Sequence, residues 1–259
     1  MKITKHINYI VLVLICLSIC ACSTTKSNPA NLYKDKTEVQ IFKDGQHAMK
    51  DGSYDVAIKH FETLDARYPF GKYARQAQLD SIYSYYKKED VAEALAAADR
   101  YIRLYPRGPD VDYAYYLRGL VKSGENRTVF DSSFFSVDLA KRDLATLTGA
   151  YADFKLLIHY YPRSKYAPDA RKQMVKIWNA LGRHQLQVGQ FYFNHEAYVA
   201  AINRSDVVIK SYKKTPSVPK ALAIMVKSYR KLHLPRDATA ALSNLQKNFP
   251  NSKELRAVT

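Results

Sequence analysis

A chain of 259 residues with 47% apolar and 25% charged side chains can bury a sizeable core, and its 9 Gly and 10 Pro exclude a loop-rich or disordered protein. Its 40 basic and 24 acidic residues give a formal charge of +16, which suits an acidic protein surface, lipid headgroups or nucleic acid. All three cysteines lie within the first 22 residues, which excludes a disulfide-stapled fold.

Lys2 and Lys5 precede an apolar run from Ile10 to Ile19 that is too short to span a bilayer comfortably, so residues 1–21 read as a cleaved export signal. The end of that run resembles the lipobox of bacterial lipoproteins, with Ile19 three positions before Cys22 and the small Ala21 directly before it. The resemblance implies that Cys22 is acylated and that Ser23, in place of Asp, directs the protein to the outer membrane, and residues 22–33, polar and without an apolar period, read as the lipidated tether. An ordinary cleaved signal is the alternative. Export and lipidation argue against nucleic acid as a partner.

From residue 34 the chain reads as a single all-α domain of five helix pairs, at about 36–69, 72–106, 110–162, 165–213 and 216–250. Each ends on an aromatic and a closing position that is Pro in four cases and Lys213 in one, and each carries an Ala twelve residues before that closing position: Ala57, Ala94, Ala150, Ala201 and Ala238. In the first pair Gly45, Gly52, Tyr54, Ala57, Phe61 and Pro69 stand at the offsets of a tetratricopeptide repeat, which the stretch resembles. Such pairs cover each other's apolar sides only by stacking, so a right-handed superhelical solenoid with a concave groove is expected. In the second pair Asp90 and Glu93 read as a capping box.

Two irregularities break the period. The third pair closes 56 residues after Pro106, against 37 between Pro69 and Pro106, so about 19 extra residues are inserted, over Glu125–Lys141. The fourth pair opens with a run lacking Pro from Asp169 to about Asn194, a helix longer than the others that Gly182 and Gly189 are expected to loosen. Charge is uneven as well. Residues 22–154 hold 19 basic and 19 acidic side chains, residues 155–259 hold 19 and 5, so the excess belongs to the last two and a half pairs. A solvated face explains it as well as a docking surface for an acidic partner or for anionic lipid headgroups and phosphates.

Catalytic motifs are missing: there is no GxSxG, Walker loop, GxGxxG or HExxH, and no two of the seven His share an i, i+3 or i, i+4 spacing. No catalytic residue, metal or cofactor is expected, and a binding scaffold is favoured.

Five strings carry a more specific likeness: LDARYPFGKYA (64–74), QLDSIYSYYK (78–87), DYAYYLRGL (112–120), FFSVDLAKRD (134–143) and YVAAINR (198–204). With the lipobox and the repeats, they resemble the BamD family, lipoproteins of the outer-membrane β-barrel assembly machinery. The missing Pro after Tyr212 and the basic C-terminal half depart from the family pattern. The resemblance implies anchoring at the periplasmic face of the outer membrane, binding to the POTRA region of BamA through the C-terminal repeats, association with the other lipoproteins of the complex, and recognition of the C-terminal β-signal of unfolded outer-membrane proteins. Under it, Tyr68, Tyr83, Tyr85 and Tyr86 are candidates for the signal groove, Arg204, Lys210 and Lys214 for the partner surface, and Phe134, Phe135, Asp138 and Arg142 mark the insertion loop. Tyr68 could equally close the first repeat and Arg204 pair locally. The rival function is a tetratricopeptide lipoprotein of another envelope complex, serving division or peptidoglycan.

Overall fold

The computed structural model describes residues 33–124 and 143–259. Cys22 and the loop residues Phe134, Phe135, Asp138 and Arg142 lie outside the described residues. Among the described residues ten helices form five pairs: α1 (Glu38–Lys50) with α2 (Tyr54–Arg67), α3 (Ala74–Lys88) with α4 (Val91–Leu104), α5 (Val111–Ser123) with α6 (Leu144–Tyr160), α7 (Ala167–Asn194) with α8 (Tyr198–Ser211), and α9 (Val218–Lys231) with α10 (Pro235–Asn248). A short α11 (Lys253–Arg256) packs on the last pair. Each helix packs on its neighbours in sequence, and the first helices of successive pairs also meet, α1 on α3, α3 on α5 and α7 on α9. The result is a helical solenoid.

Two turns, repeated along the chain, build it. Between pairs, the closing aromatics Tyr68, Tyr105, Tyr161, Tyr212 and Phe249 share one backbone conformation, with φ from −113° to −137° and ψ from 45° to 57°. A following Pro forbids the helical region to its predecessor, so the helix stops there. The amides of Gly71, Gly108, Ser164, Thr215 and Ser252 then donate to the carbonyls of those aromatics. Where Lys213 replaces Pro, the turn survives only by moving Lys214 into the left-handed region, φ 66°. Within pairs, Gly52, Glu89, Glu196 and His233 take φ of 56° to 76°, and the next amide reaches back to the final turn: Ser53 to Ala48, Asp90 to Tyr85, Ala197 to Tyr192, Leu234 to Tyr229. This is a Schellman ending, in which a left-handed residue lets the chain satisfy orphan carbonyls and reverse.

The capping box expected at Asp90 and Glu93 does not form. Asp90 has ψ 80°, outside the extended region that aims a capping side chain, and its carboxylate lies 3.8 Å from Lys88 Nζ instead. The box that exists is Thr37 with Gln40, where Thr37 is extended at ψ 161°.

The periodic Ala residues are buried at the crossings of the pairs. Large rings fill the space beside them: Phe61 lies against Gly45 and Phe154 against Gly119, each so close that a Cβ on the glycine would sit 2.6 Å from the ring. The long helix divides the interior. Ala167, Ala170, Ile177 and Leu181 join the core of the second and third pairs, while Leu186 joins that of the last two. Gly182 and Gly189 do not loosen α7, which is continuous. They give α8 room to approach, since a Cβ at Gly182 would lie 3.1 Å from Tyr212 Cβ and one at Gly189 3.4 Å from Arg204 Cβ.

Candidate functional site

The tyrosines of α3 fall on different sides of one helix, because residues 83, 85 and 86 are spread over more than half a turn. Tyr85 turns toward α2 and α4. Its hydroxyl donates to Glu62, and it lines a cavity of about 210 Å³ with Glu93 and the paired Asp65 and Arg100. Burial and the Glu62 carboxylate push the Tyr85 hydroxyl's pKa upward. Tyr83 and Tyr86 pack instead against the central core, Tyr83 edge-on to Tyr54. Tyr68 is half-buried in the N-terminal core, its hydroxyl donating to the Lys36 carbonyl at 3.4 Å. The structure therefore groups Tyr83 with Tyr86 and sets Tyr68 and Tyr85 apart.

A larger aromatic strip continues from Tyr83 across the first helices of the pairs. Tyr113 and Tyr116 of α5 both stack on Tyr166, at 4.8 and 4.9 Å between ring centres, and the Tyr116 hydroxyl donates to Asp169 at 2.8 Å. Two buried or half-buried carboxylates punctuate it. Asp169 also accepts from Gln173, and Asp80 accepts from Gln46 and Gln76. Burial pushes the Asp80 carboxyl up to about 6, against the opposing pull of those two amides. Tyr113 feels Tyr83, Asp80, Tyr116 and Tyr166, and its hydroxyl's pKa is raised, chiefly by burial. Tyr113, Tyr116 and Tyr166 were not singled out in the sequence. The signal available was the DYAYY spacing, which places 113 and 116 on one helical face.

The three basic candidates do not converge either. Arg204 is exposed midway along α8 and reaches Gln185 of α7 at 3.4 Å. Lys210 is near the end of α8, paired with Asp206 at 2.8 Å, and Lys214 is exposed in the following turn. A second groove, of about 350 Å³, lies between α7, α9 and the C-terminal segment, with Leu186, Phe193 and Ile224 in its wall and Lys220, Lys227 and Glu254 around it. Among the described residues no group of three His, Cys, Asp or Glu could hold a metal ion.

The family model for outer membrane lipoproteins named YfiO matches residues 34–245. The outer membrane protein assembly factor BamD of Neisseria meningitidis serogroup B is 39% identical over 240 residues, spanning 93% of this chain and 90% of its own. The chain belongs to the BamD family. The BamD of Vibrio cholerae is 38% identical over 208 residues, 80% of this chain and 86% of its own. A thermophilic tetratricopeptide protein of Thermus thermophilus aligns over 85% of this chain and 96% of its own at 16% identity, with a TM-score of 0.36 that adds nothing to the fold described above. No helix among the described residues of this BamD-family chain is long and apolar enough to cross a membrane.

Proposed function

We propose that the chain is a non-enzymatic scaffold of outer-membrane protein assembly, held at the periplasmic face of the outer membrane by acyl chains on Cys22. Its N-terminal pairs receive the C-terminal β-signal of unfolded outer-membrane proteins, its C-terminal pairs grip the POTRA region of BamA, and the remaining lipoproteins of the complex join on other faces.

The observation that carries this reading is the division of the solenoid at α7. On one side lies the tyrosine strip with its amide-held carboxylates; on the other lies a stretch, residues 195–259, with 12 basic and 4 acidic residues. Aromatic rings and side-chain acceptors suit an extended, aromatic-ended peptide. A basic surface suits an acidic partner domain and speeds its docking. Within the tyrosine set, Tyr83 and Tyr86 share the strip's core, while Tyr68 lies apart in the N-terminal core and Tyr85 in the acidic cavity. Arg204 is the best-placed partner contact, since its guanidinium is exposed and has only a long bond to a neutral amide. Phe134, Phe135, Asp138 and Arg142 mark the insertion, which packs back on the fold or meets a partner under the same reading.

Arg204→Glu combined with Lys214→Glu should reduce co-purification with BamA at unchanged helicity; full recovery would sink the docking claim. Tyr83→Ala and Tyr68→Ala should each weaken binding of a β-signal peptide, and unchanged affinity in both would count against the groove.

A further inference from the structure

Alternating helix directions put the first three turns between pairs at one edge of the solenoid and the turns within the first two pairs at the other. Charge is sorted between those edges, and this holds even within residues 22–154, neutral overall, whose two turns between pairs hold four basic residues and one acidic. The first three turns between pairs, residues 67–73, 103–110 and 160–166, hold six basic residues and one acidic. The first two turns within pairs, residues 50–55 and 87–90, hold three basic and four acidic. The single acid of the first set, Asp110, is already taken by Arg75 at 3.5 Å, and Arg67 is turned inward onto the carbonyls of Tyr33 and Lys34. Lys72, Arg103, Arg107, Arg163 and Lys165 are exposed, with no carboxylate among the described residues within ion-pair distance.

The same edge carries exposed apolar groups: Phe70 is 100% exposed, Tyr160 62% and Leu104 54%. It is continuous, since the Tyr161 hydroxyl donates to the Pro106 carbonyl of the preceding turn at 3.4 Å. It ends with the third turn. The fourth turn docks against Gly182, sixteen residues along α7 from Tyr166, a step of about 24 Å along that helix.

The described chain also enters at this edge. Tyr33 and Lys34 are held against the end of α2 by Arg67, eleven residues after Cys22, a tether with a mean span of about 18 Å as a flexible coil. An anchor at Cys22 therefore brings this edge, rather than the acidic one, to the bilayer.

The geometry points to an anionic phospholipid surface as the ligand of this edge: the five basic side chains meet headgroup phosphates, and Phe70, Leu104 and Tyr160 enter the interface. The inference rests on acylation of Cys22, and it fixes which way the solenoid faces once anchored.

The full acylated chain carrying Ala66→Cys on this edge, or Ser53→Cys on the opposite one, is labelled with a fluorophore and reconstituted in phosphatidylcholine vesicles with or without phosphatidylglycerol. Lipids with spin-labelled headgroups serve as quenchers. Quenching at position 66 should exceed that at 53 by on the order of twofold in anionic vesicles, and the difference should fall to that seen in phosphatidylcholine vesicles, where only the tether acts, in high salt or with Lys72→Glu, Arg107→Glu and Arg163→Glu together. High salt on the unmutated side chains keeps the test valid if the triple variant folds poorly. Equal quenching at the two edges of a vesicle-bound chain overturns the proposal, as does a difference that neither perturbation reduces. Failure of the chain to float with any vesicle overturns the anchoring reading instead. Normal quenching with loss of protein partners in the triple variant would assign the edge to a protein.

Discussion

Replacing Gly119 by Ala adds one methyl group to a helix, a change that ordinarily stabilises by about 1 kcal/mol. Here the added Cβ would stand 2.6, 2.8 and 3.0 Å from three atoms of the Phe154 ring. Phe154 is fully buried and lies beside Tyr116, with ring centres 6.1 Å apart, so the ring has little room to withdraw. Overpacking of this kind costs about 1–3 kcal/mol, and contacts this short belong at the upper end. The net expectation is a loss of about 1–2 kcal/mol, a fall in Tm of about 2–8 °C for a domain of this size. Gly149, in the partner helix α6, is the control. A Cβ there would meet only the flexible Lys122 side chain, at 3.4 Å, so Gly149→Ala should raise stability by about 0.5–1 kcal/mol. Thermal melts followed by circular dichroism on the two variants read opposite signs from the same chemical change. If Gly119→Ala proved as stable as the parent, the claim that ring-on-glycine contacts set the helix spacing would be wrong.

The turn that lacks Pro offers a second test: Lys214→Gly should stabilise by about 1 kcal/mol by relieving the left-handed φ of 66°, visible as a raised urea midpoint. A third concerns pH. Burial raises the Asp80 carboxyl from its unfolded value of 3.8 to about 6, so the native state holds this proton more tightly than the unfolded chain does. The stabilisation this gives is complete below pH 3.8 and is lost as pH rises through 6, by up to about 3 kcal/mol for two pKa units. Asp80→Asn should flatten that part of the stability profile between pH 4 and 7, and an unchanged slope in urea titrations would contradict it.

The helix pairs were legible because their punctuation is local. A Pro acts on the residue before it and a left-handed position acts within one turn, so Tyr68-Pro69 and its four relatives could be counted without knowing the packing. Asp90 shows where local rules fail: the Asp-to-Glu spacing of a capping box is present, but the conformation of the preceding Schellman turn turns the carboxylate away. Gly182 and Gly189 misled for a different reason. Their purpose is contact with Tyr212 and Arg204, residues some fifteen to thirty positions on, which no local pattern reports. The site was harder still. Adjacent tyrosines on α3 point to different faces, and only stacking of α3, α5 and α7 reveals that Tyr113, Tyr116 and Tyr166 belong with Tyr83, while Tyr85 belongs to an acidic cavity. The C-terminal charge excess was visible as a count, but the sorting of charge between the two edges of the first pairs depends on the direction of each helix.

The role as an assembly scaffold is tested most directly by isolating the full chain from detergent-solubilised outer membranes and identifying its partners by mass spectrometry, in parallel with the Arg204→Glu variant. BamA and the accessory lipoproteins of the assembly machinery should be recovered with the parent chain, with BamA depleted in the variant. Recovery of division or peptidoglycan proteins in place of BamA would contradict the proposed function.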